Sequence, residues 1–208
     1  MLFTVKADSD REAKIKAEKF VDSLCTAVLL STNIAVSVDS IDIVGVREIH
    51  ELESERMKTV KIHGIVKIKD EVSVGLGLSE THIRNIVKIA VKIENFNELI
   101  SRFFRWYRWA LLEEDPIDRF IKLWIAFEIW ATYKGYKSGK MSEKAKMVNA
   151  LVKECGFSEE EAGGKDGIYS MRSALFHSGA YDKVLNKLPQ LEKCLATIVS
   201  KVKQAIQQ

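Results

Sequence analysis

Hydrophobic positions near the start of the chain repeat at helical spacing. Phe20, Leu24 and Val28 recur every four residues, and Ser9 stands three residues before Glu12 as in a capping box, so 9–30 reads as an amphipathic helix. Phe3 and Val5 before it, and Ile34, Val36 and Val38 after it, alternate with smaller or polar residues as strands do. The cleanest alternation lies at 60–69. Val60, Ile62, Gly64, Val66 and Ile68 fall on one face, and Lys61, His63, Ile65, Lys67 and Lys69 on the other. This predicts a strand covered on one side by the first helix, with Val72, Val74 and Leu76 as its hairpin partner. Residues 84–93 carry two periods. The β-branched series Val87, Ile89, Val91 and Ile93 between Lys88 and Lys92 favours a strand, and a helix continuing from Ser79 is the other reading.

From about Asn95 the period is helical throughout, which places a domain boundary there. One helix covers about 97–113. A second starts at Asp115 as N-cap with Pro116 at the first helical position, buries Phe120, Trp124, Phe127 and Ala131, and stops at Gly135. A third runs from about Ser142 to Glu154, ahead of Gly156; a fourth holds Ile168 to Phe176, ahead of Gly179. In the last, Val184, Leu188, Leu191, Leu195, Ile198 and Val202 form one stripe, with Pro189 suited to a first turn. The expected fold class is α+β. An N-terminal antiparallel sheet with one long helix (1–94) precedes an all-α helical bundle (95–208).

Composition bounds the function only loosely. Hydrophobic residues make up 47% of the 208, enough for a core, and a net charge of +3 is too small to argue for nucleic acid on its own. Cys25, Cys155 and Cys194 lie far apart without a CxxC pair, so neither a disulfide framework nor a zinc site is expected. A reducing, cytoplasmic setting follows from this, and no apolar run reaches the roughly 20 residues that span a bilayer. His50, His63 and His82 lack ligand partners at useful spacing, so no metal is expected. Gly75-Leu76-Gly77 lacks the rest of a dinucleotide fingerprint and there is no phosphate-binding GxxxxGK[ST], so no cofactor is expected either.

The segment Met171-Arg172-Ser173-Ala174-Leu175-Phe176-His177-Ser178-Gly179 holds the most chemistry. An imidazole moves protons near neutral pH, and a guanidinium stays charged and grips phosphate with a fork of donors. Together they suit metal-free RNA cleavage: a base activates the ribose 2′-hydroxyl, an acid protonates the leaving oxygen, and a cation stabilises the phosphoryl charge. Five positions on a straight helix separate the two side chains by about 140°, so they converge only across a helix end, a bend or a second subunit.

With its place in the penultimate helix of a small bundle, this pair resembles the signature of the HEPN superfamily, an Arg and a His with four to six residues between. Residues Asp115 to Glu128, with buried aromatics and a late Glu, resemble the corresponding helix of the Apea-like branch, and the likeness covers about 95–208. The resemblance implies a metal-independent endoribonuclease of toxin-antitoxin, CRISPR-associated or antiviral systems, with a composite site where two motif copies meet in a homodimer. The resemblance also implies an antitoxin or regulatory partner. Many members carry Asn, Asp or His after the Arg, where this chain has Ser173.

The expected site residues are therefore Arg172 as phosphate ligand, His177 as general base or acid, Ser173 as auxiliary donor and Glu128 as an orienting carboxylate. For RNA contact, Lys134, Lys137 and Lys140 supply a basic stretch and Arg105 belongs to the aromatic-rich run 102–109. Each has a structural counterpart: a helix-terminal His, an Arg packed by its stem, aromatics in the core with snorkelling arginines, and a solvated lysine face. The alternative function is a non-catalytic dimerisation and interaction protein whose N-terminal sheet binds a partner or ligand.

Overall fold

The structure is a computed structural model that describes residues 5, 7–38, 79–179 and 181–207. Nine helices make up the described regular structure: α1 (Asp10–Thr32), α2 (Glu80–Glu94), α3 (Glu98–Leu111), α4 (Pro116–Tyr133), α5 (Glu143–Cys155), α6 (Glu159–Gly163), α7 (Ile168–Ser178), α8 (Tyr181–Leu185) and α9 (Leu188–Gln207).

The expected sheet is overturned. Among the described residues there is no strand: Val5 and residues 34–38 have no regular structure, and 84–93 lies inside α2. Phe3, the 60–69 alternation and the 72–76 run lie outside the described residues. At 84–93 the physical reason is visible. Ser79 accepts a hydrogen bond from the His82 N–H at 3.3 Å and starts a helix, and Ile86, Ala90 and Ile93 fall on one helical face that is buried against α1. Val87 and Val91, which made the segment look strand-like, are about half exposed. A short apolar run carries both periods, and the cap and the packing partner decide between them.

Helix α1 begins at Ser9, whose hydroxyl accepts from the Glu12 N–H at 3.2 Å; the Glu12 carboxylate accepts from the Asp8 N–H at 2.9 Å rather than from Ser9. The inward stripe is Ala17, Val21, Cys25 and Leu29, one position on from Phe20, Leu24 and Val28, which are half-buried. Both series repeat every four residues, so spacing alone fixes the stripe but not its phase.

The α4 N-terminus matches its sequence signals. Asp115 Oδ1 accepts from the Ile117 and Asp118 N–H groups at 2.8 and 3.0 Å, with Pro116 in the first turn. Phe120, Leu123, Trp124, Phe127 and Trp130 are buried around this helix, which packs on α3, α5, α8 and α9 and so forms the centre of the bundle. Buried aromatics Phe103, Phe104 and Tyr107 of α3 complete it. A single hydrophobic cluster runs from Ala27 through Ile93 and Ile100 to Ile206, continuous across residue 95. The last apolar stripe is split between α8 and α9, yet Val184, Leu188, Leu191, Leu195, Ile198 and Val202 are all buried.

The cysteines correct another expectation. Packing of α5 on α9 brings Cys155 and Cys194 together in a disulfide with Cα atoms 4.9 Å apart, inside the usual range, although 39 positions separate them in sequence. Cys25 is free and buried. No described helix is long and apolar enough to cross a membrane.

Candidate functional site

Helix α7 buries Ile168, Met171 and Leu175 and thereby turns Arg172 partly outward, toward α4. One guanidinium nitrogen of Arg172 lies 3.4 Å from Glu128 Oε1. The guanidinium carbon is 4.9 Å from the Phe176 ring centre and 5.8 Å from that of Trp124. Both aromatic contacts follow from helix geometry and packing. Phe176 is one turn beyond Arg172 on the same helix, and Trp124 is one turn before Glu128 on α4. Stacking of a guanidinium on ring faces adds attraction beyond the ion pair. The Arg172 Nε is buried and has no hydrogen-bond partner among the described residues.

Glu128 is the hub of this cluster. Its Oε1 also accepts from Trp124 Nε1 at 2.7 Å, while Oε2 lies 3.7 Å from Lys137 Nζ, which reaches Glu143 at 3.4 Å. Trp124 is fully buried and Tyr169 packs edge-on against it, so the carboxylate is anchored from beneath and faces cations above.

His177 stands in the last turn of α7, exposed, just before Ser178 and Gly179. Gly179 has φ 61°, the left-handed conformation that ends a helix and that a side chain would strain. Because α7 is helical over both residues, Arg172 and His177 point about 140° apart and the chain alone does not bring them together. Ser173 is half-buried beside Arg172.

The residues expected to contact RNA are dispersed. Arg105 pairs with Asp22 at 3.1 Å, and its neighbour Arg108, nearly buried, pairs with the same carboxylate and donates to the Val36 carbonyl at 3.4 Å. The arginines of 102–109 are thus largely engaged with α1 while Phe103, Phe104 and Tyr107 fill the core. Lys134 Nζ sits 5.8 Å from the Trp130 ring centre, Lys137 belongs to the Glu128 cluster, and Lys140 is exposed in the α4–α5 connection.

A second polar cluster carried no signal in the sequence. Glu154, nearly buried on α5, accepts from Trp130 Nε1 at 3.0 Å and from the Tyr136 hydroxyl at 2.7 Å. Burial, and then the hydrogen bond to this carboxylate, push the Tyr136 phenol up to about 12. Burial also raises the Cys25 thiol. Among the described residues no three His, Cys, Asp or Glu side chains converge; His82 bonds Ser79 through Nδ1 at 2.9 Å, and His50 and His63 lie outside the described residues.

No family model matches the chain, and neither a curated protein nor a solved structure matches it significantly.

Proposed function

We propose that this chain is a metal-independent endoribonuclease of the HEPN type, working as a homodimer in a toxin-antitoxin or antiviral setting. The observation that carries the proposal is the setting of Arg172: a cation held by Glu128 and stacked on Phe176, on the same short helix as an exposed imidazole. Two α7 helices facing each other would bring four such groups to one cleft. Phe176, Tyr181 and Leu185 on α7 and α8 are exposed apolar side chains of the sort that a dimer interface covers.

In such a cleft His177 of one copy takes the 2′-hydroxyl proton as the 2′-oxygen forms its bond to phosphorus. The bond from phosphorus to the 5′-oxygen breaks, and His177 of the second copy protonates that oxygen. The products are a 2′,3′-cyclic phosphate and a 5′-hydroxyl. Arg172 binds the phosphoryl oxygens as charge builds on them, and Ser173 adds a hydrogen bond. Glu128 positions the guanidinium. Cleavage of single-stranded RNA by the purified chain in the presence of a chelator, lost in both Arg172→Ala and His177→Ala, is the expected result. Cleavage that His177→Ala leaves unchanged removes the mechanism.

A second reading rests on the same contact. A guanidinium already neutralised by Glu128 and covered by two rings also serves a non-catalytic interaction protein, in which α7 only pairs with another copy. In that case Arg172→Ala weakens dimerisation or stability and no RNA is cut.

A further inference from the structure

The end of α4 brings Lys137 to the Arg172 cluster. Gly135 has φ 79°, the left-handed conformation that turns the chain off the helix. Tyr136 then fixes the connection twice: its backbone N–H donates to the Ala131 carbonyl at 2.9 Å and its hydroxyl donates to Glu154 at 2.7 Å. The next residue is Lys137, whose Nζ comes within 3.7 Å of Glu128 Oε2. On its other side Lys137 lies 3.4 Å from Glu143, in the first turn of α5 behind the Ser142 cap.

A row of alternating charges results: Arg172, Glu128, Lys137 and Glu143. Its contacts of 3.4, 3.7 and 3.4 Å are all long, against about 2.7–2.9 Å for a close charge-assisted hydrogen bond. The short bond at Glu128 is the neutral one, from Trp124 Nε1 at 2.7 Å. The carboxylate is therefore fixed to the core while both cations are held loosely. Each of the four side chains is partly open to water, Glu143 most of all at 55%. Screening keeps such pairs weak, so small changes of charge shift the balance among them.

Glu128 is the carboxylate that Arg172 and Lys137 share. A charge on Lys137 draws on Glu128 from the Oε2 side and weakens its hold on the guanidinium, whose five N–H donors are then freer for a phosphate. Glu143 pulls Lys137 the other way and has the opposite effect.

We infer, on the endoribonuclease reading, that Lys137 is a positioning residue for the cleavage site, setting through Glu128 how far Arg172 is free to bind the RNA phosphate. Glu143 opposes it.

A single-stranded RNA decamer with every 2′-hydroxyl methylated cannot be cut by 2′-oxygen attack, and its binding to the full chain reads this balance directly. Lys137→Met should weaken binding about threefold and Glu143→Gln should tighten it about threefold, as suits half-exposed ion pairs. Lys137→Arg keeps the charge and should bind as the wild type does. In a Glu128→Gln background both effects should vanish, because they act through the Glu128 charge; a lysine that touched RNA itself would keep its effect there. With ordinary RNA the same variants should change KM in these directions and leave kcat within about twofold, the mark of altered binding rather than altered chemistry. Unchanged melting temperatures show that the variants are folded. Absence of decamer binding, weaker or unchanged binding in Glu143→Gln, or an undiminished effect of Lys137→Met in the Glu128→Gln background overturns the inference, while cleavage by the wild type leaves the endoribonuclease reading standing. Decamer binding that follows the variants as expected, with ordinary RNA left intact by the wild type, keeps the positioning role and removes the endoribonuclease reading instead.

Discussion

Glu128 of α4 and Arg172 of α7, 44 positions apart in sequence, meet at 3.4 Å, and the same Glu128 oxygen holds the indole N–H of buried Trp124. The carboxylate is thus tied at once to the core and to the one arginine on which the proposed chemistry depends.

Replacing Glu128 should separate these two roles. Glu128→Ala strands the Trp124 N–H in the core, a loss of roughly 1–3 kcal/mol, readable in urea unfolding. Glu128→Gln retains an acceptor for the indole and should cost less stability, while RNA cleavage falls because Arg172 loses its charged partner. Equal losses of stability in the two variants would contradict the assignment of the indole hydrogen bond.

Asp22 and Arg108 form the most buried ion pair among the described residues, with Arg108 nearly inaccessible and its Nε without a hydrogen-bond partner there. Asp22→Ala leaves that guanidinium unpaired and should destabilise the fold by roughly 3–5 kcal/mol. Arg105→Ala removes only the half-exposed partner and should cost under about 1 kcal/mol. Denaturant midpoints of the two variants measure the difference.

The helical half was legible because its signals are local. Asp115 with Pro116, Ser142, Gly156 and Gly179 all cap the helices that their chemistry predicts. The N-terminal expectations failed where the signal was not local. At 84–93 β-branched residues imitate a strand, and only the Ser79 cap and the burial of Ile86, Ala90 and Ile93 on α1 identify a helix. The contact of Glu128 with Arg172 was partly legible, since a late carboxylate on an apolar helix needs a partner. The Trp130–Glu154–Tyr136 cluster and the Cys155–Cys194 bond were not, because each is created by the packing of helices distant in sequence.

Tyr136 predicts an alkaline limit on stability. Its folded value near 12 exceeds the ordinary 10, so the folded state favours the protonated phenol that donates to Glu154. That contribution is complete below pH 10 and is lost as the pH rises from about 10 to 12. Wild type should therefore lose more stability than Tyr136→Phe across this window, as followed by urea midpoints. Parallel curves would contradict the shift.

Thiol titration examines the cysteines. Unreduced folded protein should react negligibly with a thiol reagent, since Cys25 is buried with its thiol raised and the other two are bonded. Denaturation without reductant should release one thiol, and denaturation after reduction three. Three thiols in unreduced, denatured protein would show Cys155 and Cys194 to be unpaired, as a reducing cytoplasm would keep them.

The proposed mechanism has Arg172 and His177 act together on RNA. Its most direct measurement is cleavage of a labelled single-stranded RNA, in chelator, by equal concentrations of wild type, Arg172→Ala, His177→Ala and a mixture of the two variants. Wild type should produce 2′,3′-cyclic phosphate ends, with each single variant at least 100-fold slower. Undiminished cleavage by either variant, or intact RNA with wild type at concentrations where it is dimeric, would contradict the claim.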